Sequence, residues 1–255
     1  MPSRRVIVTR PAREAARWVE ALQHAGIDAV ALPLMTIAPM PDTEALRNAH
    51  VGLDRYAALM FVSAAAVEHF FAPASALTFS ARCWATGPGT AHALHAAGVA
   101  PDSIDAPAPD AAQFDSEALW ARVASQVGDG VRVLIVRGGD AGGQANGRDW
   151  LTRRIESAGG TVDTLVAYRR LMPVFDAADR QLALEGARGA ATWLFSSSEA
   201  IGNLCRALPG IDWQAARAVT THPRIAQTAQ EAGFGSVRTC LPTVAALVAS
   251  IELTA

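Results

Sequence analysis

Short motifs recur along this chain at a long and nearly constant spacing. Val6-Ile7-Val8-Thr9-Arg10-Pro11 is matched by Val133-Leu134-Ile135-Val136-Arg137-Gly138. Ala58-Leu59-Met60-Phe61-Val62-Ser63 is echoed by Thr192-Trp193-Leu194-Phe195-Ser196-Ser197, and Cys83-Trp84-Ala85-Thr86-Gly87-Pro88 by Ala218-Val219-Thr220-Thr221-His222-Pro223. The offset is about 130 residues, far beyond the roughly 50-residue limit of solenoid units. Two copies of a whole α/β unit are therefore expected. The 255-residue length accommodates two domains of about 125 residues each. Two-lobed α/β chains commonly hold a ligand in the cleft between the lobes.

Apolar runs at 5–9, 28–32, 57–62, 82–86, 131–136, 162–166, 191–195, 216–220 and 236–240 predict strands. A weaker run near 99–105 predicts one more. Amphipathic patterns at 12–25, 64–71, 90–97, 116–127, 148–158, 198–207, 224–232 and 243–251 predict the intervening helices. This alternation implies parallel sheets with helices on both faces. Ser116 before Glu117, Ser198 before Glu199, and Thr243 after Pro242 are the expected helix caps. Gly26, Gly98 and Gly159 are expected to close helices.

Two stretches break the rhythm at matching places in the repeat: Leu34 to Pro41, and Tyr168 to Pro173. Proline disfavours helical backbone just before it, so both are predicted to stay extended and are the hinge candidates. Pro101 to Asp115 is predicted as a surface loop, and Gly138 to Gly147 as a glycine loop following a strand.

Composition excludes several classes. A net charge of −2 offers no electrostatic case for nucleic acid or an anionic membrane surface. No apolar run reaches the roughly 20 residues of a bilayer span, and Met1 to Arg5 runs into a strand without a signal-peptide core. Cys83, Cys205 and Cys240 are odd in number and lie in apolar stretches, so reduced thiols in a cytoplasmic protein are expected. All 22 basic residues are arginine. Without lysine there is no Schiff-base chemistry and no P-loop.

The candidate chemistry lies at strand ends. Gly138 to Gly147 lacks the dinucleotide spacing; it is either a flexible loop or an anion grip at a helix start. His92 and His95 share a helical face without a third ligand, so no metal site is expected. Ser63 and Ser196-Ser197-Ser198 stand at helix starts with no nucleophile elbow, which suits capping and, as a second use, ligand hydrogen bonding. Gly87-Pro88-Gly89-Thr90 follows a strand and opens a helix, where free amides favour carboxylates. Tyr168 at a hinge is either a packed ring or a proton donor.

These residues resemble the uroporphyrinogen-III synthase family over nearly the whole chain. The resemblance is carried by Val8-Thr9-Arg10-Pro11, Leu32-Pro33-Leu34, Phe61-Val62-Ser63-Ala64-Ala65-Ala66-Val67-Glu68, Ala85-Thr86-Gly87-Pro88-Gly89-Thr90-Ala91, Val136-Arg137-Gly138 and Val166-Ala167-Tyr168-Arg169-Arg170. It implies an α/β fold of two flavodoxin-like parallel-sheet lobes joined by two extended crossings, with the ligand cleft between the lobes. The implied lobes are 1–36 with 173–255, and 40–168, with hinges at about 34–41 and 168–173.

The implied reaction closes hydroxymethylbilane to uroporphyrinogen III, with loss of water and inversion of ring D. Departure of the hydroxyl leaves an azafulvene. Ring D attacks it through its substituted carbon, and the spiro intermediate fragments and rejoins inverted. No cofactor and no metal are implied, and the partners are substrate and product alone, bound by a cytoplasmic monomer. By motif, Tyr168 is the candidate proton donor. Ser63, Gly87, Thr90, Ser197, Arg10, Arg137, Gly138 and Ser196 are candidate substrate contacts. The chain departs from the family pattern at Val62-Ser63, where Thr-Ser is common, and at Ala65, where some members carry a basic residue. It departs again at Thr221-His222-Pro223-Arg224, where His222 or Arg224 is expected to replace a hydroxyl in gripping a carboxylate. Two other readings share the architecture: a non-catalytic two-lobed binder of an anionic small molecule, and a nucleotide-sugar transferase. The latter predicts a longer chain and a nucleotide site.

Overall fold

The computed structural model describes residues 5–72, 77–108, 111, 113–145 and 149–252. Contacts divide the chain into two compact units, Met1–Thr36 with Leu171–Ala255, and Ile37–Arg170. The first unit opens with β1 (Arg5–Val8), α1 (Ala12–His24) and β2 (Ala29–Ala31). The second holds β3 (Thr36–Pro39), α2 (Glu44–Val51), β4 (Ala58–Phe61), α3 (Ala64–Phe71), β5 (Arg82–Ala85), α4 (Pro88–Ala96), β6 (Ile104–Asp105), α5 (Ser116–Val123), β7 (Arg132–Gly139), α6 (Trp150–Ser157) and β8 (Thr161–Leu171). The chain then returns to the first unit with α7 (Ala177–Ala187), β9 (Ala191–Phe195), α8 (Ser198–Ala207), β10 (Arg217–Thr220), α9 (Pro223–Glu231), β11 (Ser236–Thr239) and α10 (Val244–Glu252).

The first unit's sheet runs β11-β10-β9-β1-β2, and every pairing in it is parallel. Counted in chain order within the unit, this is the flavodoxin-like order 2-1-3-4-5. The second unit's sheet runs β3-β8-β7-β4-β5-β6, parallel from β8 through β6. It has the same spatial order if β7 and β8 take the first two places and β4, β5 and β6 the rest, with β3 added at the edge. Each sheet therefore combines the leading β-α-β of one sequence repeat with the trailing strands of the other.

Strands covered by helices on both faces need apolar residues throughout, and β1 supplies Val6, Ile7 and Val8, all fully buried. Alternation sends Val6 and Val8 toward Ala15, Leu22 and the α10 residues Leu247 and Ile251, and Ile7 toward Ala183, Leu204 and Phe234. In the second unit Leu59, Phe61, Leu134 and Val136 share one core with Phe70 and Leu94. Met60, Val133 and Ile135 face Leu119, Leu151 and Ile155 on the other side.

Helix ends follow local chemistry. Gly26, Gly98 and Gly159 take φ of 80°, 90° and 89°, the left-handed backbone that closes a helix. Thr243 Oγ1 accepts from the Ala246 amide as expected. Two expected caps shift by one residue. The α5 cap is Asp115, whose side chain accepts from Ala118 N, and Ser116 is the first helical residue. Ser197 holds the cap position of α8, while Ser198 Oγ accepts from Thr228 Oγ1 at 2.9 Å. The predicted start of the 148–158 helix at Arg148 lies outside the described residues, as do Asn146 and Gly147 of the glycine stretch and Met1 to Arg4. The cysteines are free thiols, and burial pushes Cys83 up to about 12.

The segment leading out of the first unit is anchored. Leu32 N donates to Val8 O and Leu34 N to Thr9 O, so the chain follows β1 past its end. Asn203, 2% exposed, donates from Nδ2 to Leu34 O at 2.7 Å and accepts from Arg206 Nη2 at 2.6 Å. Replacing Asn203 with Leu leaves that buried carbonyl without its donor, a cost of about 2 kcal/mol. Chemical denaturation is expected to show that loss, with Tm lower by about 4–8 °C; wild-type stability would mean that water or another donor satisfies Leu34.

Candidate functional site

In a doubly wound sheet the ligand end is set by topology. Neighbouring strands whose chains leave toward opposite faces open a crevice at their carboxyl ends. In the second unit this point lies between β7 and β4, and the residues there are Arg137-Gly138 and Val62-Ser63. Ser63 caps α3, its Oγ accepting from Ala66 N at 3.1 Å. The Val62 amide donates to Val136 O, and Thr86 Oγ1 donates to Val62 O at 3.2 Å, tying the ends of β7, β4 and β5 together.

Tyr168 reaches this point from β8. A register shift between Arg137 and Gly138 places Gly138 opposite Tyr168. The Tyr168 hydroxyl lies 3.1 Å from Ser63 Oγ. The ring rests directly on Gly138: a Cβ there would stand 2.5 Å from Cε2 and 2.8 Å from the phenol oxygen. A second ring, His69 of α3, stacks on it with centroids 5.6 Å apart and planes 27° apart. Tyr168 is 4% exposed and belongs to the same core as Phe61 and Phe70. Its ring is thus packed, and its hydroxyl is aimed at a helix start.

The glycine stretch differs from its expected form. β7 continues through Gly138 and Gly139, because β8 keeps pairing with it as far as Gly139–Arg169. The turn that follows is tied by Asp140, whose Oδ1 accepts from the amides of Gly142 and Gln144 at 2.9 and 3.0 Å. A carboxylate occupies those amides, so this part of the turn is not an open anion cradle. Beside it, Arg137 is half-buried; burial first, and then the like charge of Arg170, lower its pKa, with Asp149 and Tyr168 opposing.

Gly87 and Thr90 stand at the end of β5. Gly87 is the extended cap of α4, with Pro88 at the first helical position. The helix therefore begins two residues earlier than its sequence pattern, and the turn belongs to it. Thr90 is buried at 6% exposure, and its amide donates to Gly87 O.

The first unit has its switch point between β1 and β9. Thr9 Oγ1 donates to Leu194 O at 2.6 Å there. Arg10 follows, its Nη1 bonded to Glu14 at 3.0 Å and its guanidinium 4.6 Å from the Trp18 ring centre, with Nε buried. Ser196 and Ser197 follow β9 and are half-buried. At the end of β10, His222 Nδ1 accepts from the Arg224 amide and so caps α9, while the Arg224 side chain is exposed. Among the described residues, no group of three or more His, Cys, Asp or Glu could hold a metal ion.

The structure joins Ser63, Gly138 and Tyr168, residues far apart in the chain. His69 was missed by sequence reasoning. The available signal was a histidine among the apolar residues of 64–71, two turns beyond the capping serine.

The comparisons with known proteins agree with this architecture. The family model for uroporphyrinogen-III synthase HemD matches residues 16–249. A porphyrin biosynthesis protein HemD of Ruminiclostridium josui is 28% identical over 137 residues, 51% of this chain. The match spans only 26% of that longer relative. Uroporphyrinogen-III synthetase from Helicobacter pylori superposes with a TM-score of 0.59 at 15% identity, covering 98% of this chain and 99% of that one. A mutant uroporphyrinogen III synthase from the extremely thermophilic bacterium Thermus thermophilus gives 0.58 at 15% identity, with 98% of both chains covered. Those two likenesses concern the fold, whereas the family model spans nearly all of the sequence. The chain belongs to the uroporphyrinogen-III synthase family.

Proposed function

We propose that the chain cyclises hydroxymethylbilane to uroporphyrinogen III, eliminating water and inverting ring D. Family membership supports the reaction. The observation that carries the site is the Tyr168 hydroxyl, held on Ser63 at the switch point of a doubly wound sheet. In this reading the phenol donates its proton to the departing hydroxyl, which leaves as water. The pyrrole nitrogen supplies the electron pair that breaks the C–O bond, and its N–H proton is released as the azafulvene forms. Ring closure then requires one conformation of a flexible chain more than it requires a strong nucleophile.

Several groups suit an anionic tetrapyrrole. The positive ends of the α3 and α4 helix dipoles favour carboxylates, with Ser63, Gly87 and Thr90 standing there. Arg137, Arg10 and Arg224 add guanidiniums, which match carboxylates in pairs of hydrogen bonds. Ser196, Ser197 and His222 hold the corresponding places in the first unit. The reading takes the enzyme as a cytoplasmic monomer that acts without metal or cofactor.

Complementation tests the reading. A bacterial strain lacking its own uroporphyrinogen-III synthase is expected to regain haem-dependent growth when it carries this chain. Absence of growth with the protein expressed and folded would favour a two-lobed binder instead.

A further inference from the structure

A phenol that donates a proton needs its oxygen fixed, and a tyrosine has two free torsions to fix. At Tyr168 the oxygen is bonded to Ser63 and one part of the ring rests on Gly138. The imidazole of His69 adds a third contact, over the ring itself, stacked at 27° with centroids 5.6 Å apart. His69 and Ser63 belong to one rigid element: Ser63 caps α3 and His69 lies near its end. The phenol therefore lies along this helix, gripped at its hydroxyl by the cap and over its ring by the imidazole. The start of the helix is in turn joined to β7 through Val62 N and Val136 O. Burial lowers the His69 pKa against the opposing charge of Glu68, which favours the uncharged ring in this stack.

We propose that His69 is a positioning residue for Tyr168, holding the phenol ring so that its hydroxyl stays at Ser63. It touches no reacting atom in this role and acts only through the tyrosine. The inference rests on the reading of Tyr168 as proton donor.

A double-mutant cycle tests it by turnover: wild type, His69→Ala, Tyr168→Phe and the double variant. His69→Ala is expected to lower kcat about tenfold, less than the roughly hundredfold that a 1 Å misplacement of a reacting group can cost, with KM within about twofold of wild type. His69→Phe, which restores a flat ring, is expected to recover most of that loss. In the Tyr168→Phe background the His69→Ala change is expected to cost nothing further, because residues acting as a unit are non-additive. Should His69→Ala fail to fold, His69→Leu fills the space without a flat ring and takes its place.

A second readout needs no substrate. The chain has two tyrosines, so selective ring labelling gives two sets of NMR signals, assigned with Tyr56→Phe. His69→Ala is expected to shift the Tyr168 signals toward those of free tyrosine and to leave Tyr56 in place. An unmoved Tyr168 signal, wild-type kcat in His69→Ala, or an equal loss in both backgrounds would each overturn the proposal. Wild-type turnover by Tyr168→Phe would instead overturn the donor reading, and the positioning role with it.

Discussion

Tyr168→Phe is expected to lower kcat on the order of a hundredfold while leaving KM nearly unchanged. General acid catalysis by a placed side chain contributes roughly 10²–10⁴-fold, and the lower end suits a leaving group that the pyrrole already helps to expel. The substitution is gentle on the fold. Phenylalanine keeps the ring contacts with His69 and Gly138. Ser63 still caps α3 by accepting from Ala66 N. Stability should fall by about 1 kcal/mol for the lost hydrogen bond. Steady-state kinetics beside a denaturation curve separates the two effects. Wild-type turnover would assign Tyr168 to packing alone.

Gly138→Ala is expected to do more damage with a smaller change. The added methyl would overlap the phenol ring of Tyr168, and the strand pairing of β7 with β8 leaves neither backbone room to yield. The ring must turn away, breaking its bond to Ser63 and its stack on His69. Overpacking of this kind costs about 1–3 kcal/mol. Turnover should drop at least as far as in Tyr168→Phe, because the hydroxyl is then present but misplaced. If Gly138→Ala keeps full activity with an unshifted Tm, the contact between Gly138 and Tyr168 has no role in positioning the phenol.

Much of the fold was legible because its strands are buried on both faces. Runs such as Val6-Ile7-Val8 and Trp193-Leu194-Phe195 are apolar at every position, and flanking glycines and prolines bound them. Two helices left no such mark. The face that α7 buries consists of Ala183, Gly186 and Ala187, small residues that lie against the sheet without giving a hydrophobic stripe. Helix α2 buries only Leu46 and Ala49, a single turn's worth. The end of β7 was hidden for the opposite reason. Gly138 and Gly139 have low strand propensity, so they suggest a loop, yet a strand that passes under a tyrosine ring needs a residue without Cβ.

The candidate site was legible in parts. Strand-end motifs named Ser63, Gly138 and Tyr168 singly, but their contact depends on a register shift between β7 and β8 that no local pattern encodes. His69 depends on it as well. The repeat itself supplied the architecture once its two copies are taken as exchanged. The leading pair β1 and β2 joins β9, β10 and β11, and the leading pair β7 and β8 joins β4, β5 and β6. Motifs that match along the sequence, such as Val6 to Pro11 and Val133 to Gly138, thereby open the switch points of different units.

Mixing the purified protein with freshly prepared hydroxymethylbilane, and separating the cyclised isomers after oxidation to porphyrins, tests the proposed activity most directly. The unassisted reaction closes the chain without inverting ring D. Type III porphyrin is therefore expected, formed faster than the spontaneous product and in proportion to the protein added. Type I porphyrin alone, at the rate seen without protein, would contradict the assignment of a ring-inverting cyclase.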